Sequence, residues 1–380
     1  MKERLHWLAM HGVLRSLAMW SARQGDPQAR LLIDPRVRAD PFAFYDELRA
    51  QGPLVRARVS YLTVDHAVAH ELLRSEDFRV IALGANLPGP LGWLEQRTRP
   101  DLLHPLRPPS LLAVEPPEHT RYRKTVSSVF TSRAVAALRD GVERTAEQLL
   151  AELSAGEATA EGVVDVVERY CAQLPVEIIS EILGVPEVDR PRILEFGGLA
   201  APSLDFGLTW RQYRRVHSGL QGFGDWLVAH LAALRESPGD NLMSRLIEAS
   251  EDGVRLDQTE LRGVAGLVLA AGFETTVNLL GNGIRLLLSH PDQLAELEAE
   301  PALWPNAVEE ILRLDSPVLL TGRVARTDTE VAGTPVARFF DRFPHAQIAG
   351  AGVRRDTRVL RGWARLPVRL DARAAVASRR

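Results

Sequence analysis

The long apolar segment from Asp257 to Leu287 is the feature that most constrains the fold. Its centre, residues 267–273, reads Leu-Val-Leu-Ala-Ala-Gly-Phe, and no proline interrupts the segment before Pro291. A helix that is apolar on every side belongs in the interior of a large protein. We therefore expect a helix over 257–287, ending near Ser289, inside a large helical body.

Composition narrows the class of protein. The chain has 380 residues, of which 46% are apolar and 25% charged, the balance of a soluble globular protein with a substantial core. Its formal net charge of -3 argues against a dedicated nucleic-acid binder, which normally carries a basic excess. The one cysteine, Cys171, excludes an intramolecular disulfide and a cysteine-based zinc site. We expect a cytoplasmic protein without a nucleic-acid partner.

The remaining patterns predict a mainly α protein with small sheets near both ends. Prolines and glycines between Gly84 and Pro117 predict that no long regular element forms there. Residues 120–249 are helical in pattern, with prolines as boundaries, and the chain from Val331 onward is strand-like. Shorter predicted elements are helices over 41–49, 66–73 and 303–314 and strands over 54–59, 61–64, 357–363 and 366–370.

Residues 1–25 predict an amphipathic helix. Its apolar stretch is interrupted by His11 and Arg15, which argues against a signal peptide, and no run reaches the roughly 20 apolar residues needed to span a bilayer. Such a helix either lies weakly on a membrane surface or packs against the body of the protein, and we favour packing. The predicted apolar side carries Leu5, Leu8, Val13, Leu17 and Trp20.

Polar residues stand in the middle of the apolar helix, in the run Ala-Gly-Phe-Glu-Thr-Thr over 271–276. Gly272 costs roughly 1 kcal/mol relative to alanine in a helix, and a buried Glu274 costs more unless it is paired. One interpretation is a locally opened helix in which Glu274 and the threonine hydroxyls relay protons. The other is a kinked helix with a threonine bonded back to its own backbone.

Two further patterns bring charges together. Glu310 and Arg313 share a helix face and can pair, which taken alone fits an ordinary surface ion pair. The prolines at 116–117 start a helix on which His119 and Arg123 lie one turn apart. Two such donors can bind a carboxylate or a phosphate, although a solvated basic helix start explains them as well.

Arg323 stands just after a turn and before a predicted strand.

Together and in this order, the four patterns resemble the bacterial cytochrome P450 family over residues 30–336 and again over 337–370. The resemblance implies the P450 fold, a large helical body with small β-sheets, as a single domain over 26–380. It also implies haem b as the cofactor. The roles it implies are the haem propionates for His119, Arg123 and Arg323, proton delivery for Glu274 and Thr275, and a structural lock within the core for Glu310 and Arg313.

The resemblance fails at the junction of residues 336 and 337. The family continues there with a strand, a meander, a loop that presents the cysteine ligand of the haem, and a long helix. Here residues 337–344 instead resemble the chain after that helix, and 354–363 resemble the terminal hairpin. We interpret this as an internal deletion that leaves the fold incomplete at the haem-ligand loop.

The deletion removes the expected metal ligand. P450 chemistry needs an anionic thiolate on the iron, and the resemblance places the helix that carries Cys171 away from the proximal side of the haem. A free cysteine is commonly a small buried apolar group, so we expect no metal ligand. His119 would reach the iron only in a collapsed pocket. The missing helix would also leave the apolar helix uncovered around 267–280.

We therefore predict a protein whose parent activity is haem-thiolate monooxygenation of a lipophilic small molecule, inactive in this chain. The alternative is a haem-free P450-like auxiliary protein, for example a partner of a glycosyltransferase. The parent enzyme would take electrons from a ferredoxin or flavoprotein reductase. Arg121, Lys124 and Arg133 suit such an acidic partner or, equally, a solvated face. The substrate pocket implied by the resemblance draws on Leu87, Leu91, Trp93, Leu94, residues 199–208, Ala270, Ala271 and residues 318–320.

Overall fold

The computed structural model describes residues 1–326 apart from 59, 85–86, 88, 156–163, 206, 249 and 252–253, and beyond them 329–332, 334–336 and four short strands. Helices dominate, as predicted. The α-helices are α1 Lys2–Trp7, α2 Val13–Arg23, α3 Pro27–Ile33, α4 Pro35–Ala39, α5 Phe42–Gln51, α6 His66–Arg74, α7 Gly89–Thr98, α8 Glu118–Val129, α9 Ser132–Ala136, α10 Arg139–Ala155, α11 Gln173–Leu183, α12 Arg190–Ala200, α13 Trp210–Glu236, α14 Leu242–Glu248, α15 Gln258–Ser289, α16 Pro291–Ala299 and α17 Trp304–Leu314.

Short helical turns of other types connect them. These are π-helices at Leu8–Gly12 and Val167–Cys171 and 3-10 helices at Glu187–Asp189, Ala201–Leu204 and Pro301–Leu303.

The strands are short and form antiparallel pairs. They are β1 Val55–Arg56, β2 Tyr61–Leu62, β3 Phe78–Val80, β4 Ser250–Glu251, β5 Val254–Arg255, β6 Arg323–Ala325, β7 Thr329–Val331, β8 Thr334–Val336, β9 Gln347–Ile348, β10 Val353–Arg354, β11 Trp363–Arg365 and β12 Val368–Arg369. The pairs are β1 with β2, β3 with β6, β4 with β5, β7 with β8, β9 with β12 and β10 with β11. The predicted strands near 54–64 are present as β1 and β2. The strands predicted over 357–363 and 366–370 are described only where β11 and β12 overlap them, and residues 337–346 and 355–362, on which part of the deletion argument falls, lie outside the described residues.

The chain divides into two compact units. The first unit contains Met1–Pro100, Asp205–Tyr213 and the chain from Gly322, and a small core of Val37, Phe44, Leu48 and Val55. The second unit contains Asp101–Leu204 and Arg214–Thr321. Its core buries residues of several helices, including Leu183, Leu227, Leu231, Met243, Leu246 and Val264. The prediction of one domain over 26–380 stays a prediction.

The apolar helix α15 begins and ends where the sequence predicts. The Asp257 side chain accepts hydrogen bonds from the backbone N–H groups of Thr259 and Glu260, and the Glu260 carboxylate accepts one from the backbone of Asp257. This reciprocal arrangement satisfies donors that the first turn of a helix otherwise leaves open. By length and overall composition alone, α15 is long and apolar enough to cross a membrane, although Glu274, the two threonines after it and Asn278 interrupt its apolar run. Nine of its residues are buried in the core, which is also what a soluble core helix does.

Helix α7 contradicts the expectation that residues 84–117 contain no long regular element. It has 10 residues, with Gly89 and Pro90 at its first two positions and Gly92 at the fourth. Proline is tolerated in the first turn, because its missing N–H would have no helical partner there. The prolines therefore delimit this helix instead of preventing it.

The N-terminal helix forms, but the predicted apolar side is wrong. Leu5 and Leu8 are exposed, and the buried residues are His6, Ala9, Met10, His11, Ala18 and Ser21. The π-helix at Leu8–Gly12 adds a residue to one turn and so rotates the following side chains relative to a regular helix. The buried set lies within the first unit and accords with packing, the interpretation favoured from the sequence.

Candidate functional site

Helix α15 presents Glu274 and Thr275 next to a stretch of small side chains. Ala270, Ala271 and Thr275 are exposed, and Glu274 is partly buried. The hydroxyl of Thr275 donates to the Ala271 carbonyl at 2.8 Å, and that of Thr276 donates to the Gly272 carbonyl at 3.2 Å. These are the back-bonded threonines that the sequence offered as one alternative. Their hydroxyl oxygens keep acceptor lone pairs for a donor outside the helix.

The Glu274 carboxyl is tuned toward its protonated form. Burial raises its pKa above the ordinary value, and a hydrogen bond with the Asn278 side chain partly opposes that rise. Asn278 lies one turn further along the same helix, so it holds the carboxyl on that face. A carboxyl with a raised pKa exchanges a proton closer to neutral pH than an exposed one does.

Cys171 lies on the other side of α15. The thiol is fully buried in a cluster with Val176, Phe273 and Val277, and burial raises its pKa. Thr275 is two residues from both Phe273 and Val277, and at 100° per residue it therefore points away from them. The thiol is thus a buried apolar group on the side of the helix opposite Thr275.

His119 and Arg123 occupy adjacent turns of α8, as predicted. The helix begins at Glu118, directly after Pro117. His119 is partly exposed and Arg123 is exposed, so both side chains are accessible to an anionic group. They lie in the second unit together with Glu274 and Thr275.

Arg323 lies in the first unit. Arg323 pairs with Val80 in the β3–β6 ladder, and its Nη1 donates to the Gly322 carbonyl at 2.9 Å. The predicted strand is present and begins at Arg323 itself. The role that the resemblance implies for it stays a prediction.

Glu310 and Arg313 form the ion pair that their spacing predicts. Two hydrogen bonds of 2.7 Å join the guanidinium to the carboxylate. The side chains are 52% and 67% exposed, so in the part of the chain that the structure describes the pair lies at the surface and not within the core.

An ion pair between Arg121 and Glu260, which the sequence did not predict, joins two helices. Arg121 binds both carboxylate oxygens of Glu260, and the Tyr122 hydroxyl donates to the same carboxylate at 3.1 Å. Arg121 therefore fastens α8 to the first turn of α15 and is not available as a loosely solvated cation for a redox partner. Nothing in the sequence identified a partner 139 residues away.

The residues present suit the surroundings of a haem, but they do not supply its axial ligand. Ala270 and Ala271 leave an accessible surface of small side chains beside Thr275, and His119 and Arg123 supply accessible donors for anionic groups. The chain has one cysteine, and it is enclosed on the opposite side of α15. Among the described residues, no group of three or more His, Cys, Asp or Glu side chains is placed to hold a metal ion. The thiolate that such a haem requires is therefore not presented beside Thr275 by the described residues.

Comparisons with known proteins concern the family and the fold. No family model matches the chain. The chain is 57% identical to cytochrome P450 140 of Mycobacterium tuberculosis over 441 aligned positions that cover 100% of both proteins. It is 37% identical over 290 residues to the cytochrome P450 monooxygenase PikC of Streptomyces venezuelae, covering 74% of the chain and 64% of that protein.

Among solved structures, P450BioI in complex with a fatty-acyl carrier protein superposes with a TM-score of 0.71 at 21% identity, covering 88% of this chain and 99% of that one. At that identity the likeness concerns the fold, which is a mainly helical one with small sheets. The full-length relative at 57% identity carries the assignment further. The chain belongs to the cytochrome P450 family, a family of monooxygenase type.

Proposed function

We propose that this chain descends from a haem-thiolate monooxygenase of a lipophilic small molecule and does not catalyse that reaction in its present form. The observation that carries the proposal is the position of Cys171, the one thiol of the chain, enclosed against Phe273 and Val277. Electron donation by a thiolate favours cleavage of the O–O bond. A chain without an accessible thiolate lacks that contribution.

An internal deletion near 336/337 accounts for the missing ligand. The alignment with the M. tuberculosis relative has 441 positions, 61 more than the 380 residues of this chain. That excess supports the loss of some tens of residues, which is enough for a ligand loop and a long helix. The exposed Glu310–Arg313 pair supports the same proposal.

The polar residues that remain favour an impaired enzyme over a repurposed scaffold. A haem-free binding protein has no use for a proton-relay pair or for donors to propionates, yet Glu274, Thr275, His119, Arg123 and Arg323 are all present. The parent substrate would be lipophilic, because Val318, Leu319 and Leu320 are exposed apolar residues. A ferredoxin or flavoprotein reductase would supply electrons, with Lys124 and Arg133 as basic contacts, and we place the protein in the cytoplasm.

The test is the absorption spectrum of the purified full chain with added haemin, reduced, with and without carbon monoxide. We expect no thiolate-type shift of the Soret band, and the Cys171→Ala variant should give the same spectrum as the wild type. A thiolate-type shift in the wild type that disappears in Cys171→Ala would overturn the proposal.

A second protein tests the place of the deletion. The residues of the M. tuberculosis relative that lie between the counterparts of Val336 and Ala337 are inserted at that junction. We expect the inserted chain to bind haem with a thiolate-type spectrum. If it folds, binds haem and still lacks that spectrum, the deletion is not at this junction.

A further inference from the structure

Residues 207–213, here called the latch segment, belong by their contacts to the first unit, although the chain on both sides of Asp205–Tyr213 belongs to the second. The latch segment leads into helix α13, which begins at Trp210. Its partner is the N-terminal helix, defined here as Lys2–Arg23 and made of α1, the π-helix and α2. Both elements lie within the first unit, so their contacts can be described directly.

Side chains of the N-terminal helix satisfy the backbone of the latch segment. The Trp7 Nε1 donates to the Leu208 carbonyl at 2.9 Å, and Arg15 Nη1 donates to the Gly207 carbonyl at 3.1 Å. The Leu208 N–H donates to Nδ1 of His11 at 3.4 Å. Backbone groups in a loop need such partners when they are removed from water, and here three of them come from one helix.

Gly207 lets the two backbones approach closely. Its φ of +73° is one that side-chain-bearing residues rarely adopt, and a Cβ there would lie 3.3 Å from the Cα and Cβ of Arg15. Glycine accepts both conditions at no steric cost. The latch segment therefore contacts the N-terminal helix through its backbone, and not only through long side chains.

Aromatic rings complete the contact. Trp7 lies edge-on to Trp210 with 5.7 Å between ring centroids, and the rings of His6 and His11 lie 6.2 and 5.6 Å from Tyr213. His6, His11, Leu208 and Tyr213 are all buried. Burial of this kind together with three hydrogen bonds favours joint opening, since neither side can leave without exposing the other.

We propose that the N-terminal helix holds the latch segment closed and controls its opening. The latch segment opens when the N-terminal helix undocks, so the rate and extent of opening are set by Trp7, His11 and Arg15. The proposal does not rest on the proposed function, because it concerns contacts that form without haem or substrate.

Hydrogen–deuterium exchange of the full chain, followed by mass spectrometry, tests the latch. The Trp7→Phe variant keeps an aromatic ring and removes the donor to Leu208. Because one hydrogen bond contributes a modest net free energy, we expect exchange at residues 207–209 to accelerate about 2- to 10-fold. Exchange at residues 5–11 should accelerate with it, and exchange in α15 should not change. Arg15→Met should have the same pattern.

Trp93→Phe is the matched control, since Trp93 is 60% exposed and contacts the Arg97 guanidinium. We expect it to leave exchange at residues 207–209 unchanged. The latch is refuted if Trp7→Phe has no effect at 207–209, if Trp93→Phe has an equal effect, or if exchange rises uniformly along the chain. It is also refuted if residues 207–209 open while residues 5–11 stay protected.

Discussion

Arg121 binds Glu260 through both carboxylate oxygens and so joins helix α8 to the start of helix α15. The same carboxylate accepts the hydroxyl of Tyr122 and the backbone N–H of Asp257. Both partners of the pair are largely shielded from solvent, with side-chain exposures of 29% and 17%. Partly buried pairs with several hydrogen bonds contribute more than exposed pairs do.

Replacing Arg121 should destabilise the second unit. Arg121→Met leaves the Glu260 carboxylate with fewer partners, and we expect the free energy of unfolding at pH 7 to fall by about 1–3 kcal/mol. Urea denaturation measures this change. Arg133→Met, at an exposed position on α9, is the control and should change stability by less than about 0.5 kcal/mol. Equal effects of the two variants would contradict the role of the pair.

The same pair should make stability depend on acid pH. The Arg121 guanidinium lowers the pKa of Glu260 below its ordinary value. The stabilisation is therefore fully present above the unfolded-state pKa of a glutamate and is lost as the pH falls through the lowered value. In Arg121→Met this part of the acid sensitivity should disappear, so the difference in stability between the two proteins should shrink toward low pH.

Tyr122 should resist ionisation. Burial and the hydrogen bond to Glu260 raise its pKa to about 12. Because the folded protein holds the proton more tightly, the associated stability is present below the ordinary tyrosine pKa and is lost as the pH rises from about 10 to about 12. Burial also raises the pKa of Tyr45 and of Tyr170, so in an absorbance titration at alkaline pH Tyr122→Phe should remove only the late step near 12. If the variant keeps the late step, that step belongs to another tyrosine.

Glu274 should oppose folding at neutral pH. Its pKa is raised by burial, so its ionised form is disfavoured and stability falls as the pH rises through the raised value. Glu274→Gln, which keeps the shape, should stabilise the chain at pH 7 by up to about 1 kcal/mol and by less at pH 4. Thermal or urea unfolding at both pH values measures this. Glu298→Gln, on the exposed side of α16, should show no such difference.

Two glycines in core helices should respond in opposite directions to alanine. A Cβ at Gly263 in α15 would lie 2.8 Å from Pro109 Cγ and 3.0 Å from its carbonyl oxygen, whereas nothing lies within 4 Å of a Cβ at Gly224 in α13. Gly263→Ala should therefore cost about 1–3 kcal/mol through overpacking. Gly224→Ala should stabilise by about 0.5–1 kcal/mol, the ordinary helix preference. Urea denaturation of both variants checks the prediction, and equal signs would contradict it.

The sequence predicted those elements whose signals are local. Helix α15 follows from a long apolar run that ends before Pro291, and the β1–β2 pair follows from two short β-branched segments. Helix α7 was missed because proline and glycine are counted as breakers, although at a first turn they are compatible with a helix.

Contacts between distant residues were beyond the sequence. Arg121 looked like one of several solvated basic residues, because its partner lies 139 positions away. In the N-terminal helix, a regular 100° rotation per residue put Leu5 and Leu8 inside, and the single π-turn at Leu8–Gly12 changed that phase. The patterns that contain His119, Arg123, Glu274 and Thr275 were visible in the sequence, and their positions on α8 and α15 are helical as expected. The roles that the resemblance implies for them stay predictions.

The burial of Cys171 gives the protein a built-in reporter. Because Cys171 is the one cysteine of the chain, a thiol reagent modifies the protein only when the packing of residues 166–172 against α15 opens. The rate of labelling therefore reports how often this packing opens. In the purified protein that rate can be followed without introducing a further cysteine. It would register any partner or ligand that tightens or loosens this part of the second unit, whether or not the protein ever holds a haem.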